Sequence, residues 1–127
     1  MNIVKHLFHI SFFMLFSACS SDAQNVLTPQ QFYEKIKQGS QVQLVDVRTA
    51  EEFSDGHIAG AANVDFYSAD MKAQLSHLNK TEPVYIYCRS GSRSGKYSQI
   101  LMSLGYSVYD LDGGILAWMN ESLPLIK

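Results

Sequence analysis

The sequence predicts a single α/β domain with a parallel sheet, and three observations carry that reading. Short apolar, β-branched runs at 42–47, 84–87 and 107–111 have the composition of strands buried on both faces. They alternate with stretches whose apolar residues fall at helical spacing, and such alternation calls for right-handed crossovers that cover both faces of the sheet with helices. At 127 residues, 46% of them hydrophobic and 17% charged, the chain has material for one core and too little for two.

In order, Thr28-Pro29-Gln30-Gln31 opens a helix, with Thr28 as N-cap, Pro29 at the first helical position and Gln31 in capping-box register. Phe32, Tyr33 and Ile36 share one face, and Gly39 ends the helix. Val42 to Val47 is the first predicted strand, with Asp46 as its odd polar member. Glu51-Glu52-Phe53 makes one helical turn, and Gly56 to Val64 is a compact passage whose small residues permit close backbone approach. Met71, Leu75 and Leu78 predict a helix over 68–79, followed by the strand Val84 to Tyr87 and a turn at Cys88. The next helix runs from near Arg93 to Leu104, with Ile100, Leu101 and Leu104 facing inward and Gly105 as its cap. Ser107 to Leu111 is the last strand, and Gly113-Gly114 turns into the short helix Ile115 to Met119. Ligands of such sheets sit outside the carboxyl ends of the strands, so Asp46 and Cys88 are expected near one crevice.

The first residues stand apart from this domain. Residues 1–18 carry Lys5 and then a mostly apolar stretch from Leu7 to Ala18. That stretch is shorter than the roughly 20 residues of a permanent membrane span, and it reads as a signal peptide. Phe16-Ser17-Ala18-Cys19 resembles the lipobox of bacterial lipoproteins, with Phe16 where an aliphatic residue is usual. Lipid on Cys19 and a polar tether over residues 19–25 would hang a domain of residues 26–127 from a membrane, because stable anchoring takes more than one acyl chain. The alternative is an ordinary secretory signal cleaved near Ala23. Ser20 replaces the Asp that resembles an inner-membrane retention signal, so the expected location is the periplasm or cell surface, on the outer membrane.

Loss of residues 1–18 removes one base and no acid, leaving nine basic against twelve acidic residues. This mild acidity, without a clustered basic surface, argues against a nucleic-acid partner. Of the two cysteines, lipidation of Cys19 would leave Cys88 as the only free thiol, and an unpaired cysteine in an exported chain is either reactive or a buried bystander.

The surroundings of Cys88 favour reactivity. Cys88-Arg89-Ser90-Gly91-Ser92-Arg93-Ser94 joins a strand end to a helix start through small residues and two arginines. First-turn N–H groups have no helical partner, so such a loop gathers donors around an anion and favours thiolate over thiol. Arginine adds a permanent charge and a planar fork suited to oxyanions. Protein tyrosine phosphatases place five residues between cysteine and arginine, whereas four separate Cys88 from Arg93. The tighter loop suits a smaller anion or a sulfur species better than a phosphoryl group, which disfavours a phosphatase or arsenate reductase. No Cys-x-x-Cys is present for thioredoxin-like exchange.

Three segments together resemble the rhodanese-like sulfurtransferases. They are Asp46-Val47-Arg48 with Glu51-Glu52-Phe53 and Gly56-His57-Ile58-Ala59-Gly60-Ala61-Ala62-Asn63; the Cys88 loop; and Gly113-Gly114-Ile115 with Ala117-Trp118. The resemblance implies a five-stranded parallel sheet flanked by helices on both faces. It also implies that Cys88 takes sulfane sulfur from a donor such as thiosulfate as a persulfide and passes it to cyanide or a thiol. Arg89 and Arg93 would bind the anionic end of the donor, and Ser90, Gly91, Ser92 and Ser94 would complete the cradle, with no metal or organic cofactor. Asp46 and Arg48 could tune the loop, but an Asp that bonds neighbouring backbone is the plainer reading. His57 is expected to be a structural hydrogen-bonding group, Ile115 and Trp118 core residues, and Lys96 a solvated lysine or a weak anion attractor. A sulfur carrier or anion-binding module without independent turnover is the competing function.

Overall fold

The structure is a computed structural model that describes residues 25–39 and 41–127. The signal segment, Cys19 and residues 20–24 of the tether lie outside the described residues. No helix among the described residues is long and apolar enough to cross a membrane.

Five strands form one wholly parallel sheet: β1 (Asn25–Leu27), β2 (Gln43–Asp46), β3 (Ala62–Asn63), β4 (Val84–Tyr87) and β5 (Val108–Leu111). Their spatial order is β1-β5-β4-β2-β3, which puts β4, the strand that leads to Cys88, at the centre. The connecting helices are α1 (Pro29–Gln38), α2 (Ala50–Ser54), α3 (Met71–Leu75), α4 (Ser92–Ser103) and α5 (Gly114–Asn120). The class and the parallel sheet are those expected from the sequence.

Alternation along the strands builds two cores. Val84, Ile86 and Cys88 face one side with Val45, Tyr97 and Leu101, while Tyr85 and Tyr87 face the other with Leu44, Phe32, Ile115 and Trp118. Phe32 meets Tyr85 and Trp118 edge to face, at 5.6 and 6.3 Å between ring centres. The parity that continues from β4 aims Cys88 toward α4. The opposite parity of Leu44 and Asp46 aims Asp46 to the other side of the sheet.

Local chemistry explains the boundaries. Thr28 and Gln31 cap α1 reciprocally, and Thr49 and Glu52 do the same for α2, so each helix starts where a Thr meets a Gln or Glu three residues on. Three expectations differ from what forms. The helix expected over 68–79 covers only Met71–Leu75. Asp70 gives its carboxylate to the side chains of Ser68 and Gln74 rather than capping the helix, and the side chain of Gln43 holds Asn79 and Glu82 in a non-helical turn. The inward face of α4 is Ser94, Tyr97, Ser98 and Leu101, whereas Leu104 is 51% exposed and Ile100 half-buried. Small serines let the helix lie close to the sheet, and the Ser98 hydroxyl is satisfied by the Ser94 carbonyl at 2.9 Å. Finally, β1 and β3 were not foreseen from composition; both are edge strands, of three and two residues.

Candidate active site

Cys88 follows the last residue of β4, and its side chain is 1% exposed. Beyond it the chain turns at Gly91, whose φ of +103° lies in the left-handed region that glycine enters without steric cost. That turn brings the Gly91 N–H to 3.0 Å from Cys88 Sγ. The buried Ser94 hydroxyl lies 3.4 Å from Sγ and 3.4 Å from the Gly91 carbonyl, so its single proton can serve either. The thiol thus lies at the floor of a loop, with one backbone donor and one hydroxyl donor directed at its sulfur.

The loop takes its shape from α5. Ile115 N–H donates to the Cys88 carbonyl at 2.9 Å and Leu116 N–H to the Arg89 carbonyl at 3.2 Å. The unpaired donors at the start of α5 thus bind the loop's carbonyls and turn them away from the sulfur. The approach is so close that a Cβ on Gly114 would stand 2.4 Å from the Arg89 oxygen and 2.6 Å from the Cys88 oxygen. Gly113-Gly114, read from sequence as a turn, is therefore a packing requirement of the site.

The two arginines differ. Arg89 is exposed. Arg93 makes a two-pronged ion pair with Glu52, both N–O distances being 2.8 Å, and its guanidinium lies 5.9 Å from the ring of Tyr67. The Arg93 bond, reinforced by the Thr49 cap, holds the Glu52 carboxyl well below the usual range, at about 2. The same pair raises the pKa of Arg93, with a further contribution from Cys88. From sequence Glu52 is only part of a helical turn; its ion pair with Arg93, 41 residues away, is set by the fold.

Asp46 and Arg48 form a closed buried unit. Arg48 Nε lies 3.0 Å from both carboxylate oxygens, and its Nη2 is 2.7 Å from Asp46 Oδ2 and 2.7 Å from the Gly56 carbonyl. Burial opposes the Arg48 charge, but the Asp46 hydrogen bond and charge outweigh it and raise its pKa. Asn63 donates to the carbonyls of Asp46 and Arg48. None of these bonds reaches the Cys88 loop, so the expected shared crevice resolves into two sites on opposite sides of the sheet. Asp46 takes the plainer role that sequence allowed it.

Ser90 and Ser92 are exposed on the loop, and Lys96 is exposed on the following helix. His57 stacks on Phe53 with 3.7 Å between ring centres, and its Nδ1 meets the Phe53 carbonyl at 3.0 Å, a structural role. Ile115 and Trp118 are core residues, with Trp118 Nε1 donating to the Pro124 carbonyl. A hollow of about 510 Å³ among the described residues is lined by α1, Leu44, Ile58 and Trp118 and includes no residue of the Cys88 loop.

The domain is thus an α/β fold whose central parallel strand leads into a buried thiol, with the loop that follows closed by two helix starts. The sequence profile of the rhodanese-like domain matches residues 28–121, and the chain belongs to that family. It is 34% identical over 103 residues to a sulfurtransferase of Allochromatium vinosum, covering 80% of this chain and 94% of that protein. A tRNA uridine(34) hydroxylase of Chlamydia abortus is 34% identical over 110 residues, which span 79% of this chain but 33% of the hydroxylase. The crystal structure of a rhodanese-like domain protein from Staphylococcus aureus matches with a TM-score of 0.70 at 32% identity, over 82% of this chain and all of that one.

Proposed function

We propose that this protein is a sulfurtransferase that moves sulfane sulfur from an anionic donor such as thiosulfate to cyanide or a thiol through a persulfide on Cys88. The observation that carries the reading is Cys88 Sγ at the loop floor, 3.0 Å from the Gly91 N–H and 3.4 Å from the Ser94 hydroxyl. The Cys88 thiolate attacks the outer sulfur of thiosulfate; the donor's S–S bond breaks, and sulfite leaves with the bonding pair. An acceptor then attacks the outer sulfur of the persulfide and returns the pair to Cys88. Arg89, exposed at the loop, takes the anionic end of the donor more freely than Arg93, whose charge Glu52 balances. Ser90, Ser92 and the first-turn N–H groups of α4 complete the cradle.

Intact mass after thiosulfate treatment tests this. The reading expects a gain of roughly 32 Da, one sulfur atom, that cyanide removes and that Cys88→Ala lacks; no gain in the unsubstituted protein overturns it. A relay role is the second reading, favoured by the relative in which this domain makes up 33% of a longer protein. Loading without repeated turnover of thiosulfate and cyanide would select it.

The same proposal places the domain outside the cytoplasm, with residues 1–18 as signal peptide, Cys19 lipidated and the outer membrane as its support. Cys19→Ser is expected to release the protein from the membrane fraction, and unchanged partitioning refutes the anchor.

A further inference from the structure

We propose that Tyr67 is a specificity-determining residue of this site, forming with the Arg93 guanidinium a wall that receives the organic body of a thiol acceptor and favours such acceptors over cyanide. The proposal rests on the sulfurtransferase reading above. Asp65 to Ser68 form a turn closed by Ser68 N–H on the Asp65 carbonyl at 3.0 Å and by Tyr67 N–H on the Asp65 carboxylate at 2.9 Å. The turn packs one aromatic ring against the core and leaves the other exposed. Phe66 goes inward, its ring 5.3 Å from that of Tyr97 and its N–H on the Val47 carbonyl, just past the end of β2. Tyr67 goes outward and is 71% exposed, held by an edge-to-face contact with Phe66 at 5.3 Å and by its place 5.9 Å from Arg93.

A single exposed aromatic is ordinary on a protein surface; its position beside Arg93 of the Cys88 loop is what gives this one a role. Because Cys88 is 1% exposed, an acceptor meets only the outer sulfur of the persulfide, and whatever else it carries must lie on the rim. Beside the loop stand the Arg93 guanidinium, whose charge Glu52 already balances, and the Tyr67 ring 5.9 Å from it. Such a surface suits the mixed apolar and polar body of an organic thiol. Cyanide, with two atoms, has nothing to lay against it. In the step itself the acceptor thiolate attacks the outer sulfur, the Cys88 S–S bond breaks, its electron pair stays on Cys88 and an organic persulfide departs. No oxidant or reductant enters.

The test loads the unsubstituted protein, Tyr67→Ala and Tyr67→Phe with thiosulfate, removes the donor and follows discharge by cyanide and by glutathione. The ratio of the glutathione to the cyanide rate constant is expected to fall about three- to tenfold in Tyr67→Ala, the worth of one aromatic contact, and to be restored by Tyr67→Phe. An unchanged ratio in Tyr67→Ala overturns the role of Tyr67 while leaving the sulfurtransferase reading in place. Failure of the unsubstituted protein to take up sulfur overturns both.

Discussion

Replacing Glu52 by glutamine removes the charge that ties α2 to the Cys88 loop, and the cost can be worked from the structure. The carboxyl falls from an ordinary 4.5 to about 2 on folding. At about 1.4 kcal/mol per unit, that shift corresponds to an upper bound of about 3–4 kcal/mol. Glu52 keeps 28% of its side-chain surface in water, and part of the shift comes from the Thr49 cap. Solvent screening and that share reduce the Arg93 contribution to about 1–2 kcal/mol. The sign follows from the lowered pKa: the stabilisation is full above the unfolded value of 4.5 and is lost as pH falls through about 2. A double-mutant cycle with Glu52→Gln and Arg93→Gln, read by urea unfolding at pH 7, is expected to give a coupling of about 1–2 kcal/mol that shrinks below pH 4. A coupling below about 0.3 kcal/mol, the level at which independent sites add, would refute the reasoning.

Three further outcomes are expected. Asp46→Ala leaves Arg48 charged and buried without its carboxylate, and should lower unfolding free energy by about 3–5 kcal/mol; a loss below about 1 kcal/mol would mean that Arg48 finds another partner. Gly114→Ala, at a φ of +63°, costs about 1–2 kcal/mol from the left-handed backbone alone, and its Cβ must displace Arg89, so sulfur loading on Cys88 should slow together with the loss of stability. Loading at the normal rate would show that α5 does not shape the loop. Tyr97 has its hydroxyl buried without a hydrogen-bond partner among the described residues, and burial pushes its pKa up to about 12. Tyr97→Phe should therefore be neutral or stabilising by about 1 kcal/mol in thermal unfolding, and a marked destabilisation would point to a partner for that hydroxyl.

The central strands were legible because β2, β4 and β5 are buried on both faces, and burial on both faces writes itself as an apolar, β-branched run. The edge strands leave no such mark: β1 pairs on one side through three residues, and Ala62-Asn63 has no strand composition at all. The face of α4 was misread for a related reason. Hydrophobic periodicity selects Ile100 and Leu104, but close packing selects Ser94 and Ser98, which are buried because they are small. The cysteine loop could be counted residue by residue, and the count separated it from a phosphatase loop. What could not be counted was which partner each arginine finds, since the distance from Glu52 to Arg93 is set by the fold and not by spacing.

That partner links the segment from Asp46 to Glu52 to the site. Asp46 fixes Arg48, Arg48 holds the Gly56 carbonyl, Thr49 starts α2, and Glu52 in the first turn of α2 grips Arg93. Seven consecutive residues thus form a strut from the buried end of β2 to the rim of the Cys88 loop. On the other flank, Gly114 lets α5 draw the loop's carbonyls outward. Held on both sides, the short loop keeps the Gly91 N–H on the Cys88 sulfur. Asp46 and Arg48 make no bond to the Cys88 loop, so their substitution is expected to reach Cys88 only as far as it moves α2.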